Sequence, residues 1–301
     1  MQGIIIGNIS NVYQIKTEKA IYKSYARGRF KKEEIKPIVG DIVEIDIIDA
    51  EKNEAVIENI KTRKNEMKRP KIANIDQIVF IISTKNPKPD LLMLDKQLVY
   101  AESLNIEPII VINKIDLSDK YTEIQKIYNK AGYKIIAIST KENIGIDILR
   151  LELKGKISVF AGNSGVGKSS TINVLFGERK TLEGEISRKN KKGKNTTTDT
   201  KLYELEKDTY IADTPGFSNF EITEIESNDL DKNFREFKDK ICKCEFVGCT
   251  HIKEQNCEIK RAVANDEISK ERYDNYCKIY EELKEKEKYR WWWLKNNYIF
   301  D

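Results

Sequence analysis

No apolar run among these 301 residues approaches the roughly 18 needed to cross a bilayer. The opening MQGIIIGNIS has no basic stretch ahead of a long apolar one. Both absences lead us to expect a cytoplasmic chain with no membrane partner. An excess of one charge is also missing. Fifty-three Lys and Arg stand against 49 Asp and Glu, and a formal net charge of +4 is too small for the whole surface to draw in nucleic acid. Any such contact must rest on local basic clusters. Histidine occurs once and cysteine five times. An odd count, with four cysteines between Cys242 and Cys257, suits a metal site in a reducing compartment and argues against a disulfide framework. Internal repeats are lacking too. What remains, 40% hydrophobic and 34% charged residues, describes a soluble globular chain of two or three domains.

The pattern changes twice along the chain. Up to about residue 60, the runs GIIIGNI, VYQIKT, AIYKSYA, DIVEIDII and EAVIENI read as short strands between turns. Strands so short and so closely spaced predict a small barrel of the OB type, with a β-sandwich or SH3-like barrel as the alternative. Residues 61–71, rich in Lys and Arg and without apolar periodicity, read as a linker. From residue 72 to about 220, the Val/Ile runs QIVFIIS, PIIVINK, YKIIAIS, KISVFAG and TYIADTPG alternate with helical stretches near residues 91–105, 121–131 and 168–176. Near-continuous apolar strands between helices predict a parallel sheet built from βαβ units. Beyond it come a Cys/His cluster and a charged helix over 267–288. We therefore expect three domains, 1–66, 67–224 and 225–301.

Gly162, Asn163, Ser164, Gly165, Val166, Gly167, Lys168 and Ser169 fit G-x-x-x-x-G-K-[ST] between a strand and a helix, with Ser170 continuing the helix. Glycines let backbone N–H groups turn onto phosphates, and the helix N-terminus adds partial positive charge. Lys168 is expected at the β- and γ-phosphates and Ser169 on Mg²⁺. The base is assigned to Asn113, Lys114 and Asp116 at a strand end, because a carboxylate accepts from both N1–H and N2–H₂ of guanine and adenine offers no such pair. Ser139 and Thr140, ending the next strand, join this base-reading set. Asp213 and Gly216 belong to a D-x-x-G element, Asp213 holding Mg²⁺ through water and Gly216 sensing the γ-phosphate. The run 196–198 offers a switch threonine that completes the metal shell; spacing does not choose among the three, and Thr197 is favoured. Lys168, Thr197, Asp213 and Gly216 are the expected catalytic residues, and GTP and GDP the expected ligands.

The base-reading elements precede the phosphate-binding ones, the reverse of the conventional order. Strand-end loops need only meet in space, so chain order is free. One consequence is that the chain passes from D-x-x-G almost directly into the Cys/His region, so nucleotide state is expected to move that region. Cys244, Cys249, His251 and Cys257 supply three thiols and an imidazole within 14 residues, a tetrahedral structural zinc set. Cys242 is an alternative to Cys244, and Cys277 is expected in packing. Trp291, Trp292 and Trp293 are expected to pack against the rest of the chain, stacking on RNA bases being the alternative.

With these motifs in place, the chain resembles the ribosome small-subunit-dependent GTPases of the RsgA family over nearly its whole length. The resemblance implies an α/β circularly permuted P-loop GTPase core, an N-terminal all-β OB-type barrel that binds RNA, and a C-terminal α-helical zinc-binding domain. It also implies late maturation of the small (30S) ribosomal subunit, with hydrolysis stimulated by that subunit, 16S rRNA as a contact, and a monomer. Compatible basic stretches are residues 61–71, 188–194 and Arg27 to Lys31. One departure concerns hydrolysis. A His often precedes the threonine run in that family, whereas Asn195 stands here, and Phe217 after D-x-x-G cannot orient water. Slow intrinsic turnover is therefore expected. An RNA-binding adaptor that uses nucleotide only as a conformational ligand is the alternative function.

Overall fold

The computed structural model describes residues 1–9, 11–28, 30, 35–177, 200–213 and 225–297, of which 213 and 293–297 are described by backbone alone. Strands β1 (Gln2–Ile9), β2 (Val12–Lys16), β3 (Ile21–Ala26), β4 (Ile42–Asp49) and β5 (Glu54–Ile60) close into a barrel in the order β1-β2-β3-β5-β4, with β4 returning to β1. Only the β3–β5 pair is parallel. Alternation drives the closure: Tyr13, Ile15, Tyr22, Val43, Ile45, Ala55 and Ile57 are buried at every second position, while their neighbours face outward. A closed five-stranded barrel of this order is of the OB type, which settles the choice left open by the strand spacing.

Residues 61–71, read from the sequence as a linker, contribute to a short hairpin of β6 (Glu66–Lys68) and β7 (Lys71–Ala73). Met67 and Ile72 are fully buried. The fully buried Asp41 accepts from Arg63 Nε at 2.7 Å and Nη2 at 2.9 Å, so one cation of the basic run is committed to the barrel. Strands of three residues carry too little periodicity to be legible.

The second unit is a six-stranded sheet of β8 (Gln77–Ser83), β9 (Glu107–Asn113), β10 (Lys134–Ala137), β11 (Ile157–Ala161), β12 (Lys201–Glu206) and β13 (Thr209–Asp213), ordered β10-β9-β8-β11-β13-β12. Neighbours are parallel except β12 with β13. Helices α1 (Leu91–Ser103) and α2 (Tyr121–Lys130) pack Leu94, Leu98 and Ile124 with Ile78, Phe80, Ile110 and Ile112 on one face. On the other, α3 (Ile146–Leu153) and α4 (Lys168–Phe176) pack Leu149, Leu153, Ile172 and Leu175 with Val79, Ile81, Ile109 and Val111. Successive strand residues feed opposite faces, as a sheet covered on both sides requires. The barrel meets the sheet at its β12 edge, where Lys16 pairs with Glu204 at 3.0 Å.

The C-terminal part holds α5 (Glu258–Ala264) and α6 (Lys270–Asn297) after a series of single 3₁₀ turns. Its core of Leu230, Phe234, Phe237, Tyr276 and Leu283 also takes in Val99 of α1. Arg272, 1% exposed, donates to Asp95 of α1 at 2.5 Å and to Glu236 at 2.7 and 2.9 Å. Asn275 and Tyr128 complete the hydrogen bonding of Asp95. Cys277 is half-buried on α6. The expectation that the tryptophans pack inward fails for Trp291 and Trp292, which are 65% and 62% exposed. Leu283, eight residues before Trp291, is the last buried side chain described on α6, so the helix has run past the core there.

Candidate nucleotide site and metal centre

Four parallel strands deliver the proposed nucleotide motifs to one edge of the sheet. β11 ends at Ala161 and opens into residues 162–167, and α4 begins at Lys168. β9 ends at Asn113, β10 leads to Ser139, and β13 ends at Asp213, whose backbone is level with Phe160 of β11. These are carboxyl ends, where open α/β sheets bind ligands. The permuted chain order therefore leaves a single contiguous constellation.

Side-chain bonds clasp the base-reading and phosphate-binding loops together. Asn113 is fully buried, and its Nδ2 donates to Val166 O at 3.0 Å. Its Oδ1 accepts from Lys114 N at 2.7 Å and Thr140 N at 3.3 Å. Lys114 Nζ donates to Gly165 O at 2.7 Å and to Asn86 O. This approach is close enough to dictate a residue: a Cβ on Gly167 would lie 2.2 Å from Asn113 Nδ2, and Gly167 also has φ +98°, a region disfavoured for side chains. Gly162 is fixed by crowding of another kind, since its Cβ would sit 2.6 Å from Ile81 O of β8. Ser164, Ser169 and Ser170 are exposed, whereas Asn163 and Lys168 are half-buried.

Asp116 is held by Ser139, whose buried hydroxyl donates to Oδ1 at 2.7 Å and accepts from Glu142 N at 3.1 Å. Ser139 thus aims the carboxylate. Thr84, absent from the sequence reading, donates to Lys114 O at 2.6 Å and fixes the left-handed turn of Lys114 at φ 63°. Its signal was not legible, because the two residues lie 30 positions apart on different loops. Thr197 and Gly216 lie outside the described residues, as do Asn195 and Phe217.

The candidate metal centre is assembled from residues close in the chain. The ligand atoms of Cys244, Cys249, His251 and Cys257 all lie within 4.8 Å of one another. His251 Nδ1 is 3.3 Å from Cys257 Sγ and 3.6 Å from Cys244 Sγ, so this nitrogen faces the thiols. Burial and the neighbouring thiols push the Cys249 thiol up to about 12, a clustering that a bound cation would relieve by replacing the protons. Cys242 is exposed and outside the cluster, so of the two it is Cys244 that joins the group able to hold a metal. Behind His251, Nε2 lies 3.3 Å from Asp231 Oδ2. A carboxylate there fixes the tautomer that leaves Nδ1 free to bind metal. Asp231 is the second residue missed by the sequence reading, being 20 positions away. The loop between ligands is fastened by Glu254, whose carboxylate accepts from the N–H groups of Thr250, Ile252 and Lys253 and the Thr250 hydroxyl.

Comparison with known proteins covers both ends of this description. Residues 2–57 match the family model for the RsgA N-terminal domain, and residues 60–223 match that for the RsgA GTPase. The small ribosomal subunit biogenesis GTPase RsgA of Ruminiclostridium cellulolyticum is 43% identical over 291 residues, 96% of this chain and 95% of that protein. Its counterpart in Clostridium beijerinckii is 41% identical over 294 residues, 97% of this chain and 100% of that one. Among solved structures, YjeQ from Thermotoga maritima superimposes with a TM-score of 0.82 at 38% identity, covering 94% of this chain and 98% of its own. YloQ, described as a circularly permuted GTPase, gives 0.79 at 33% identity with 95% of each chain covered.

Proposed function

Because the chain belongs to the RsgA GTPase family, we propose that it binds the small ribosomal subunit and assists its late maturation, hydrolysing GTP to GDP and phosphate with subunit-stimulated turnover. The observation that carries this reading is the clasp of Asn113 and Lys114 on Val166 and Gly165, which couples base reading to phosphate binding. Asp116, oriented by Ser139, selects guanine; residues 162–170 and Lys168 hold the phosphates. A non-hydrolysing adaptor is not favoured, since the relatives are named as GTPases.

Magnesium would accompany the nucleotide and supply charge neutralisation at the phosphates. Ser169, in the first turn of α4, is one ligand; Asp213, Gly216 and Thr197 are assigned the switch duties expected from the motifs. Zinc is the ion we assign to the Cys₃His set, on its donor chemistry and the carboxylate behind His251. With four protein ligands it has a structural role. We place the protein in the cytoplasm as a monomer that contacts 16S rRNA, with division at 66/67 and 224/225. Among the described residues no helix is long and apolar enough to cross a membrane.

Phe217 and Asn195 provide no group suited to general-base activation of water, so the isolated protein turns over slowly and the subunit supplies the missing positioning. Hydrolysis rates with purified 30S, 50S and 70S particles test this. At least tenfold stimulation by 30S is expected, and equal rates with every particle would overturn the assignment.

A further inference from the structure

The last turns of α6 combine features that neither the nucleotide site nor the metal centre uses. Tyr289, Trp291 and Trp292 are 75%, 65% and 62% exposed. Aromatic rings ordinarily bury most of their area; here Tyr289 and Trp292 stand one turn apart on one face of the helix and Trp291 on the adjoining one, exposed rings spread around the helix end that a flexible strand can follow. Lys288 stands three and four residues before the two tryptophans, which places its ammonium beside them on the helix. Lys286 and Lys288 are exposed and make no ion pair among the described residues. Of the neighbouring carboxylates, Glu287 is turned away: it accepts from Ser227 N at 2.6 Å and Ser227 Oγ at 3.0 Å.

We propose that this end of α6 is a single-stranded RNA contact, with Tyr289, Trp291 and Trp292 stacking on unpaired bases and Lys286 and Lys288 meeting the phosphates. Cations interleaved with exposed rings are the arrangement that gives sequence-tolerant binding to unpaired strands. A lipid surface fits less well, because the outward positions upstream are Glu281, Glu282, Glu285 and Lys286 and offer no apolar face to lie in an interface. The same latch that turns Glu287 inward fixes the direction of the helix. Glu287 and Arg290 reach Ser227 and Glu226, near the start of the C-terminal part. The contact therefore stands near residues 226 and 227. This inference rests on the subunit-binding reading for its biological target, and the residues themselves call only for unpaired bases.

All three tryptophans of the chain lie at 291–293, so its tryptophan emission comes from this end of α6. The full chain is titrated with single-stranded oligoadenylate, with duplex RNA of equal length and with phosphatidylglycerol vesicles. Quenching by the single strand that weakens with salt, and little response to duplex, is expected. The W291A/W292A variant, followed by the anisotropy of end-labelled oligoadenylate, should bind the single strand about tenfold or more weakly at an unchanged basal GTPase rate. No quenching by oligoadenylate, equal quenching by duplex, or a blue shift with vesicles alone would overturn the proposal. Small-subunit sedimentation separates the two readings. A wild-type chain that sediments with 30S no better than W291A/W292A defeats the surface alone; a wild-type chain whose GTPase ignores 30S defeats the subunit reading, and the oligoadenylate titration still decides the surface.

Discussion

Asn113 has no exposed surface, and its amide joins three loops at once. Replacing it with Ala leaves Val166 O and two backbone N–H groups without partners, each a loss of about 1–3 kcal/mol. Asn113→Ala is expected to weaken GDP and GTP alike by about 10–100-fold, read by fluorescent-nucleotide titration, because the clasp lies beneath both base and phosphates. Asp231 acts at the other centre. Asp231→Asn keeps the shape and removes the charge behind His251 Nε2, so zinc affinity should fall about 10–100-fold in chelator competition. Unchanged affinity would show that His251 needs no support. The motif residues at both centres were legible because their spacing is local and chemically constrained. Thr84, Asp231 and the Ser139–Asp116 bond were not, since each depends on which loops the fold brings together.

At the level of elements, periodicity identified all five barrel strands and five of the six sheet strands. It missed β12, whose KLYELE alternation resembles a charged loop, and the three-residue strands of the hairpin. The helical charge pattern located α6 but ended it at 288, nine residues short of its end at Asn297, because the tryptophans resemble a stop. What no pattern revealed is how α6 is fastened. Burial raises the Asp95 carboxyl above its ordinary range, against the pull of Arg272, Asn275 and Tyr128. Although burial opposes its charge, Asp95 and Glu236 hold the Arg272 guanidinium well above its usual value. Arg272→Met strands two buried carboxylates and should cost about 3–5 kcal/mol in chemical denaturation; a loss below about 1 kcal/mol would mean that the pair contributes little to docking.

Glu254 gives a pH-dependent test of the ligand loop. Burial works against its charge, yet the N–H groups and hydroxyl around it hold its carboxyl down to about 2 from 4.5. A depressed carboxylate stabilises the folded state fully above its unfolded value and loses that contribution as pH falls through the folded one. Glu254→Gln should therefore cost about 1–2 kcal/mol at pH 7, after allowance for solvent screening, and the gap between the two proteins should narrow from roughly pH 4.5 toward 2. A gap that stayed constant over that range would contradict the assignment.

Across the whole molecule, the permutation changes connectivity while preserving the site. β9 and β10 precede β11 and β13 in the chain, yet all four present their carboxyl ends along one edge. The C-terminal part is anchored to α1 through Arg272 at one end of α6, and its residues 226–227 are held by Glu287 and Arg290 at the other. The expectation that nucleotide state moves this region has a specific test: hydrogen exchange should differ between GDP and a GTP analogue where Glu287 meets Ser227 and not at the Arg272 anchor. The claim on which the whole account depends is that Asp116 reads guanine in a site assembled from permuted strands. Its most direct test is subunit-stimulated hydrolysis of GTP and of xanthosine triphosphate by the wild type and Asp116→Asn. An amide presents a donor to the carbonyl that xanthine carries at the position of the guanine amino group, and Ser139 can still bond its oxygen. The account predicts that the variant loses about 100-fold on GTP and gains on xanthosine triphosphate. A variant that kept the wild-type preference for GTP would contradict it.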